Sequence, residues 1–146
     1  MSITHVTVKE AHRLHAEEGY TYVDVRSIPE FEQGHPAGAH NVPLLHFDPG
    51  LGRMTLNPEF LAVMQGNYPR DARLLIGCQV GGRSVQAAQL LASAGYQCVA
   101  NVLGGYGGAR HPITGKVLNE GWVQAGLPTE TAPQQGCTYE ELRAHR

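Results

Sequence analysis

Three consecutive apolar residues, Leu74, Leu75 and Ile76, run into Gly77-Cys78-Gln79-Val80-Gly81-Gly82-Arg83-Ser84 and then into a helical pattern. A compact apolar run bounded by turn residues predicts a central strand buried on both faces. Beyond the glycines, Val85, Ala88, Leu91 and Ala92 recur with the period of a helix, Ser84 stands at its expected N-cap, and Gly95 supplies the exit. A buried strand that feeds a helix through a tight loop belongs to a parallel sheet with right-handed crossovers.

The remaining elements fit the same alternation. Thr7 and Glu10 have the spacing of a capping box, and Val8, Ala11, Leu14 and His15 share a helix face that ends at Gly19. Residues 20–25 read as a strand whose carboxyl end carries Asp24 and Arg26. Ser27 and Glu30 form a second capping box, with Pro29 in the first turn, and predict a brief helix ended by Gly34. A short strand is expected within 39–42, and 44–56 read as a loop. Asn57-Pro58-Glu59 opens a helix through about residue 65, a strand falls within 96–102, and Gly104-Gly105-Tyr106-Gly107-Gly108 reads as a flexible turn. The expected organisation is one α/β domain over 1–128, a central parallel sheet with helices on both faces. A loosely attached tail over 129–146 follows, where Thr138 and Glu141 are spaced to cap a last short helix.

The length of 146 residues leaves no room for a second large domain. With 11 basic against 13 acidic residues there is no surplus positive charge to displace counterions from a phosphate backbone, so nucleic acid is not an expected partner. No apolar stretch approaches the roughly 18 residues of a membrane span, and the N-terminus lacks the apolar core of a secretory signal. Cys78, Cys98 and Cys137 are too few for a disulfide scaffold and form no C-x-x-C pair, which points to a reducing cytoplasm and no metal site. The two glycine fingerprints for bound nucleotides are both absent.

Chemistry concentrates at residues 78–84. A loop between the carboxyl end of a strand and the amino end of a helix turns several backbone N–H groups inward, where the helix adds partial positive charge. Such a place favours an anion, and cysteine is nucleophilic as the thiolate. Gly81 and Gly82 let the loop curl so that its amides converge on the sulfur. Arg83 offers a permanent charge and a planar fork for an oxyanion, and Ser84 a hydroxyl. Asp24, at a strand end, can face a cleft or pair with Arg26, and Arg26 can anchor the region of Glu30 or His35. Cys98 reads as a core residue and Trp122 as a packing anchor. Cys137 reads as a tail cysteine, which could pair with Cys78 or have no role.

In its ordered set of motifs the chain resembles the single-domain rhodanese-like sulfurtransferases. The matching pieces are VDVR at 23–26, EFEQGHPAGAHNVP at 30–43, CQVGGRS at 78–84, AAQLLASAGY at 87–96, NVLGGY at 101–106 and WVQAGLP at 122–128. The resemblance implies that Cys78 takes a sulfane sulfur from a donor such as thiosulfate, becomes a persulfide, and passes the sulfur to cyanide, a thiol or a protein. Gln79, Val80, Gly81, Gly82 and Arg83 would complete the substrate cradle, supported by Ser84, Asp24 and Arg26, with no dissociable cofactor. Four residues separate Cys78 from Arg83, one fewer than in the related C-x5-R phosphatases, and the smaller ring suits sulfur better than a tetrahedral phosphate. A non-catalytic rhodanese-like binding or regulatory module is the alternative. Residues 108–120 depart from the family pattern as an insertion between the Gly104-Gly105 pair and Trp122, placed to flank the mouth of the site.

Overall fold

The computed structural model describes residues 3–145. In chain order the elements are β1 (Thr4–Val6), α1 (Val8–Glu17), β2 (Thr21–Asp24), α2 (Ile28–Gln33), β3 (His35–Pro36), β4 (His40–Asn41), β5 (Leu45–Asp48) and β6 (Arg53–Leu56). They continue with α3 (Phe60–Asn67), β7 (Arg73–Gly77), α4 (Gly82–Ser93), β8 (Cys98–Val102), β9 (Ala109–Arg110), β10 (Val117–Asn119), β11 (Thr129–Glu130) and α5 (Tyr139–Ala144). Five strands form one sheet in the order β1-β8-β7-β2-β4, and each neighbouring pair is parallel. The apolar run 74–76 lies at its centre, with Ile76 opposite Val23 on one side and Asn101 on the other.

Strand alternation divides the core into two layers. Val23, Leu74, Ile76 and Val99 face one layer, where they meet Phe60, Val63 and Met64 of α3, Ala87, Ala88 and Leu91 of α4, and Tyr139 and Leu142 of α5. Tyr22, Leu75, Ala100 and Val102 face the other, packed with Val8 and Ala11 of α1, Phe31 of α2 and Trp122. Helices therefore cover both faces, as the alternation of elements predicts. The parallel order also places the carboxyl ends of β2 and β7 side by side, with Asp24 registered against Gly77.

Two capping boxes form as spaced. Glu30 Oε1 receives the Ser27 amide at 3.2 Å and the Ser27 hydroxyl at 2.8 Å. Thr138 Oγ1 receives the Glu141 amide at 3.2 Å. Elsewhere the structure corrects the expectations. Residues 44–56 are not a loop but carry the antiparallel hairpin β5–β6, tightened by Asp48 Oδ1, which accepts the amides of Gly50 and Leu51. The segment after 128 is not loosely held. β11 pairs with β3, α5 buries Tyr139 and Leu142 in the same cluster as α3, and the hydroxyl of Tyr139 accepts from Asn57 Nδ2 at 3.0 Å. The insertion folds on itself as the antiparallel pair β9–β10.

Candidate active site

Cys78 follows β7 directly and lies at the carboxyl end of this central strand, where α4 begins. Its sulfur accepts the Gly81 amide at 3.1 Å and the Ser84 amide at 3.4 Å, so the loop does turn N–H groups onto it. The residue is only 2% exposed. It nevertheless sits at the amino end of a 12-residue helix, where N–H donors and partial positive charge favour negative charge on the sulfur. The turn depends on Gly81, whose φ of 130° lies in the region that favours glycine, although a Cβ there would meet open space.

Gly81, not Ser84, occupies the N-cap position. The two glycines let the helix start earlier than the serine, so Ser84 is helical, fully buried, and free to use its hydroxyl laterally. Its Oγ lies 3.4 Å from the Cys78 sulfur and donates to Asn101 Oδ1 at 2.6 Å. Asn101 was readable as one polar residue inside an apolar strand, a pattern that requires a buried partner.

The back of the loop is made by residues 104–107, which read as a flexible turn and are instead fixed. Tyr106 donates its amide to the Cys78 carbonyl at 2.8 Å, and Gly107 donates to the Gln79 carbonyl at 2.9 Å. Gly105, at φ 56°, presses so closely that a Cβ would collide with the Cys78 carbonyl. Trp122, 1% exposed, pins this wall by donating its amide to the Gly105 carbonyl at 2.8 Å, and its indole N–H donates to the Pro128 carbonyl at 2.7 Å. The Gly-Gly-Tyr pattern carried the signal, since paired glycines beside a buried strand mark close backbone approach.

Asp24 and Arg26 are a buried ion pair, 2.8 Å between Arg26 Nη2 and Asp24 Oδ2. Arg26 also donates to the Gly34 carbonyl at 2.7 Å and to Gln79 Oε1 at 3.1 Å, and its guanidinium lies 4.4 Å from the centre of the Tyr106 ring. Asp24 thus reaches the loop through Arg26 and Gln79. Arg26 anchors the carbonyl next to His35 and leaves Glu30 to another partner. That partner is Arg83, which grips both Glu30 oxygens, at 2.7 and 3.0 Å. The Arg83 hydrogen bond chiefly, with the Ser27 contacts and against a desolvation penalty, holds the Glu30 carboxyl at about 2. The permanent charge and planar fork expected of Arg83 are present and are engaged by Glu30 of α2. Val80 points outward, 54% exposed.

Arg26, Glu30, Gln33, Gly34, Gln79 and Tyr106 line an open depression of about 360 Å³ beside the loop. Its one arginine, Arg26, is paired with Asp24 and its one carboxylate, Glu30, with Arg83, so the depression is nearly charge-balanced. The other cysteines lie elsewhere. Cys98 is half-buried at the start of β8, where its sulfur is 3.3 Å from the Tyr20 hydroxyl, so it is not the core residue expected. Cys137 is buried, and burial pushes its thiol up. All three cysteines are free, and among the described residues no group of His, Cys, Asp and Glu is arranged to hold a metal.

Fold and site together define an α/β protein that presents a cysteine in an amide-lined loop at the carboxyl edge of a parallel sheet. The rhodanese-like domain model matches residues 7–110, and the chain belongs to that family. It is 37% identical over 125 residues to thiosulfate sulfurtransferase 16, chloroplastic, of Arabidopsis thaliana, covering 86% of this chain and 91% of that protein. Rhodanese-like domain-containing protein 15, chloroplastic, of the same plant is 39% identical over 103 residues, which is 70% of this chain and only 55% of that one. Among solved structures, Rv0390 from M. tuberculosis superposes with a TM-score of 0.71 at 26% identity, covering 90% of this chain and all of that one.

Proposed function

We propose that the chain is a sulfurtransferase that carries a sulfane sulfur on Cys78. The observation that supports this best is the sulfur itself, which receives two backbone N–H groups at the start of α4. In the first step the Cys78 thiolate attacks the outer sulfur of thiosulfate or of a persulfide donor. The donor S–S bond breaks, and sulfite or a thiolate leaves with the electron pair. In the second step cyanide, a thiol or a protein thiolate attacks the outer sulfur of the Cys78 persulfide, and the Cys78 thiolate departs. The Gly81 and Ser84 amides stay in place through both steps and hold the charge that returns to Cys78. Arg26 keeps Gln79 and the loop in position. No dissociable cofactor enters either step, and a reducing cytoplasm would suit three free cysteines.

A second reading, a rhodanese-like module that binds another protein without chemistry, draws on the 2% exposure of Cys78 and on the pairing of both arginines. Steady-state kinetics separate the two. Thiocyanate formation from thiosulfate and cyanide should give the parallel double-reciprocal lines of a two-step exchange and vanish in Cys78→Ser. A full-length protein that neither forms thiocyanate nor moves sulfur from a persulfide donor to a thiol would leave the binding module.

A further inference from the structure

The Ser84 hydroxyl has one proton and three partners. Asn101 Oδ1 lies at 2.6 Å, the Gly81 carbonyl at 3.1 Å and the Cys78 sulfur at 3.4 Å. The two oxygens can only accept, whereas the sulfur donates as a thiol and accepts as a thiolate. The shortest contact belongs to Asn101, 1% exposed, on strand β8 beside the central strand β7. Its amide is held from the other end as well, because Nδ2 lies 3.2 Å from His5 Nδ1 on β1, which keeps the oxygen turned toward the serine. With the hydroxyl proton on Asn101, Ser84 shows lone pairs to Cys78. That suits an S–H group and leaves a thiolate with the two backbone amides alone. With the Ser84 O–H turned to the sulfur instead, a thiolate gains a third donor.

We propose that Asn101 is a positioning residue for Cys78: by holding the single Ser84 proton, it sets whether that serine opposes or supports a negative sulfur. The biological meaning of this rests on the sulfur-carrier reading above, but the competition for the proton does not. The charged groups around Cys78 are otherwise compensated. Asp24 and Arg26 after β2 neutralise one another, as do Glu30 on α2 and Arg83 on α4, while burial keeps the Tyr22 hydroxyl protonated. A neutral hydrogen bond that changes direction is what remains to tune the sulfur.

The test is alkylation of Cys78 by iodoacetamide in the full chain, followed peptide by peptide across pH, with folding checked by circular dichroism. Asn101→Leu removes the nearer of the two competing acceptors, leaving only the longer contact to the Gly81 carbonyl, and should speed alkylation at neutral pH about fivefold, the value of one ordinary hydrogen bond, with the pH profile moved to the acid side. Asn101→Asp grips the hydroxyl more tightly and should slow it by about fivefold or more. Because the effect runs through Ser84, Asn101→Leu should change the rate less than about twofold when placed on Ser84→Ala. Equal acceleration in both backgrounds, or rates within about twofold of wild type for both Asn101 variants, overturns the proposal. Should Asn101→Leu fail to fold, Asn101→Asp with and without Ser84→Ala gives the same comparison, and slowing that persists undiminished without the serine overturns it. Alkylation needs no sulfur transfer. An Asn101 effect without any persulfide would therefore count against the sulfur-carrier reading alone.

Discussion

Replacing Glu30 with glutamine isolates the ion pair that joins α2 to the start of α4. Glutamine keeps an oxygen to receive the Ser27 amide and hydroxyl but removes the charge that Arg83 grips at 2.7 and 3.0 Å. Lowering a carboxyl from 4.5 to about 2 corresponds to about 3 kcal/mol at full strength. The Glu30 side chain is 32% exposed, and solvent screening reduces the expected cost of the substitution to about 1–2 kcal/mol at neutral pH. In a urea titration this is a fall in midpoint of about 0.5–1 M. The folded-state value lies below the unfolded one, so the wild-type advantage is complete above about pH 4.5 and is lost as pH falls toward about 2. Repeating the titration near pH 3 should find more than half of the difference gone, since groups other than Glu30 titrate alike in both proteins. A difference of the same size at both pH values would refute the argument, because it would place the cost in helix capping or packing and not in the charge.

Gly81→Ala places a side chain in open space but forces φ 130° on alanine; a loss of about 1–3 kcal/mol is expected by thermal melt, together with slower Cys78 alkylation as the Gly81 amide swings off the sulfur. Trp122→Ala removes a buried anchor that stands edge-on to Tyr22 at 5.3 Å and should cost about 3–5 kcal/mol in denaturant. Deleting residues 137–146 strips Tyr139 and Leu142 from the α3 layer and should cost about 3–5 kcal/mol, whereas a loosely held tail would cost nothing measurable.

Local pattern carried most of the site. An apolar run, a cysteine, two glycines and a periodic helix are contiguous, and the physics that assembles them acts over a few residues. Capping boxes at Ser27 and Thr138 were legible for the same reason. What stayed hidden depends on partners distant in the chain. β1 has three residues and is a strand only because it pairs with β8. The β5–β6 hairpin was masked by its Pro-Gly turn, which dominates a short and weakly alternating stretch. The partner of Arg83 was hidden because Glu30, 53 residues earlier, is brought beside it only by the parallel order of β2 and β7. Asn101 and Gly105 touch the loop through the same neighbourhood of strands, and nothing local joins them to Cys78.

The most direct measurement is the mass of the tryptic peptide that carries Cys78 after the intact protein meets thiosulfate. One added sulfur, about 32 Da, should appear on that peptide, leave on treatment with cyanide, and be missing from Cys78→Ala. A folded wild-type protein whose Cys78 peptide never gains that mass from thiosulfate or from a persulfide donor would contradict the account.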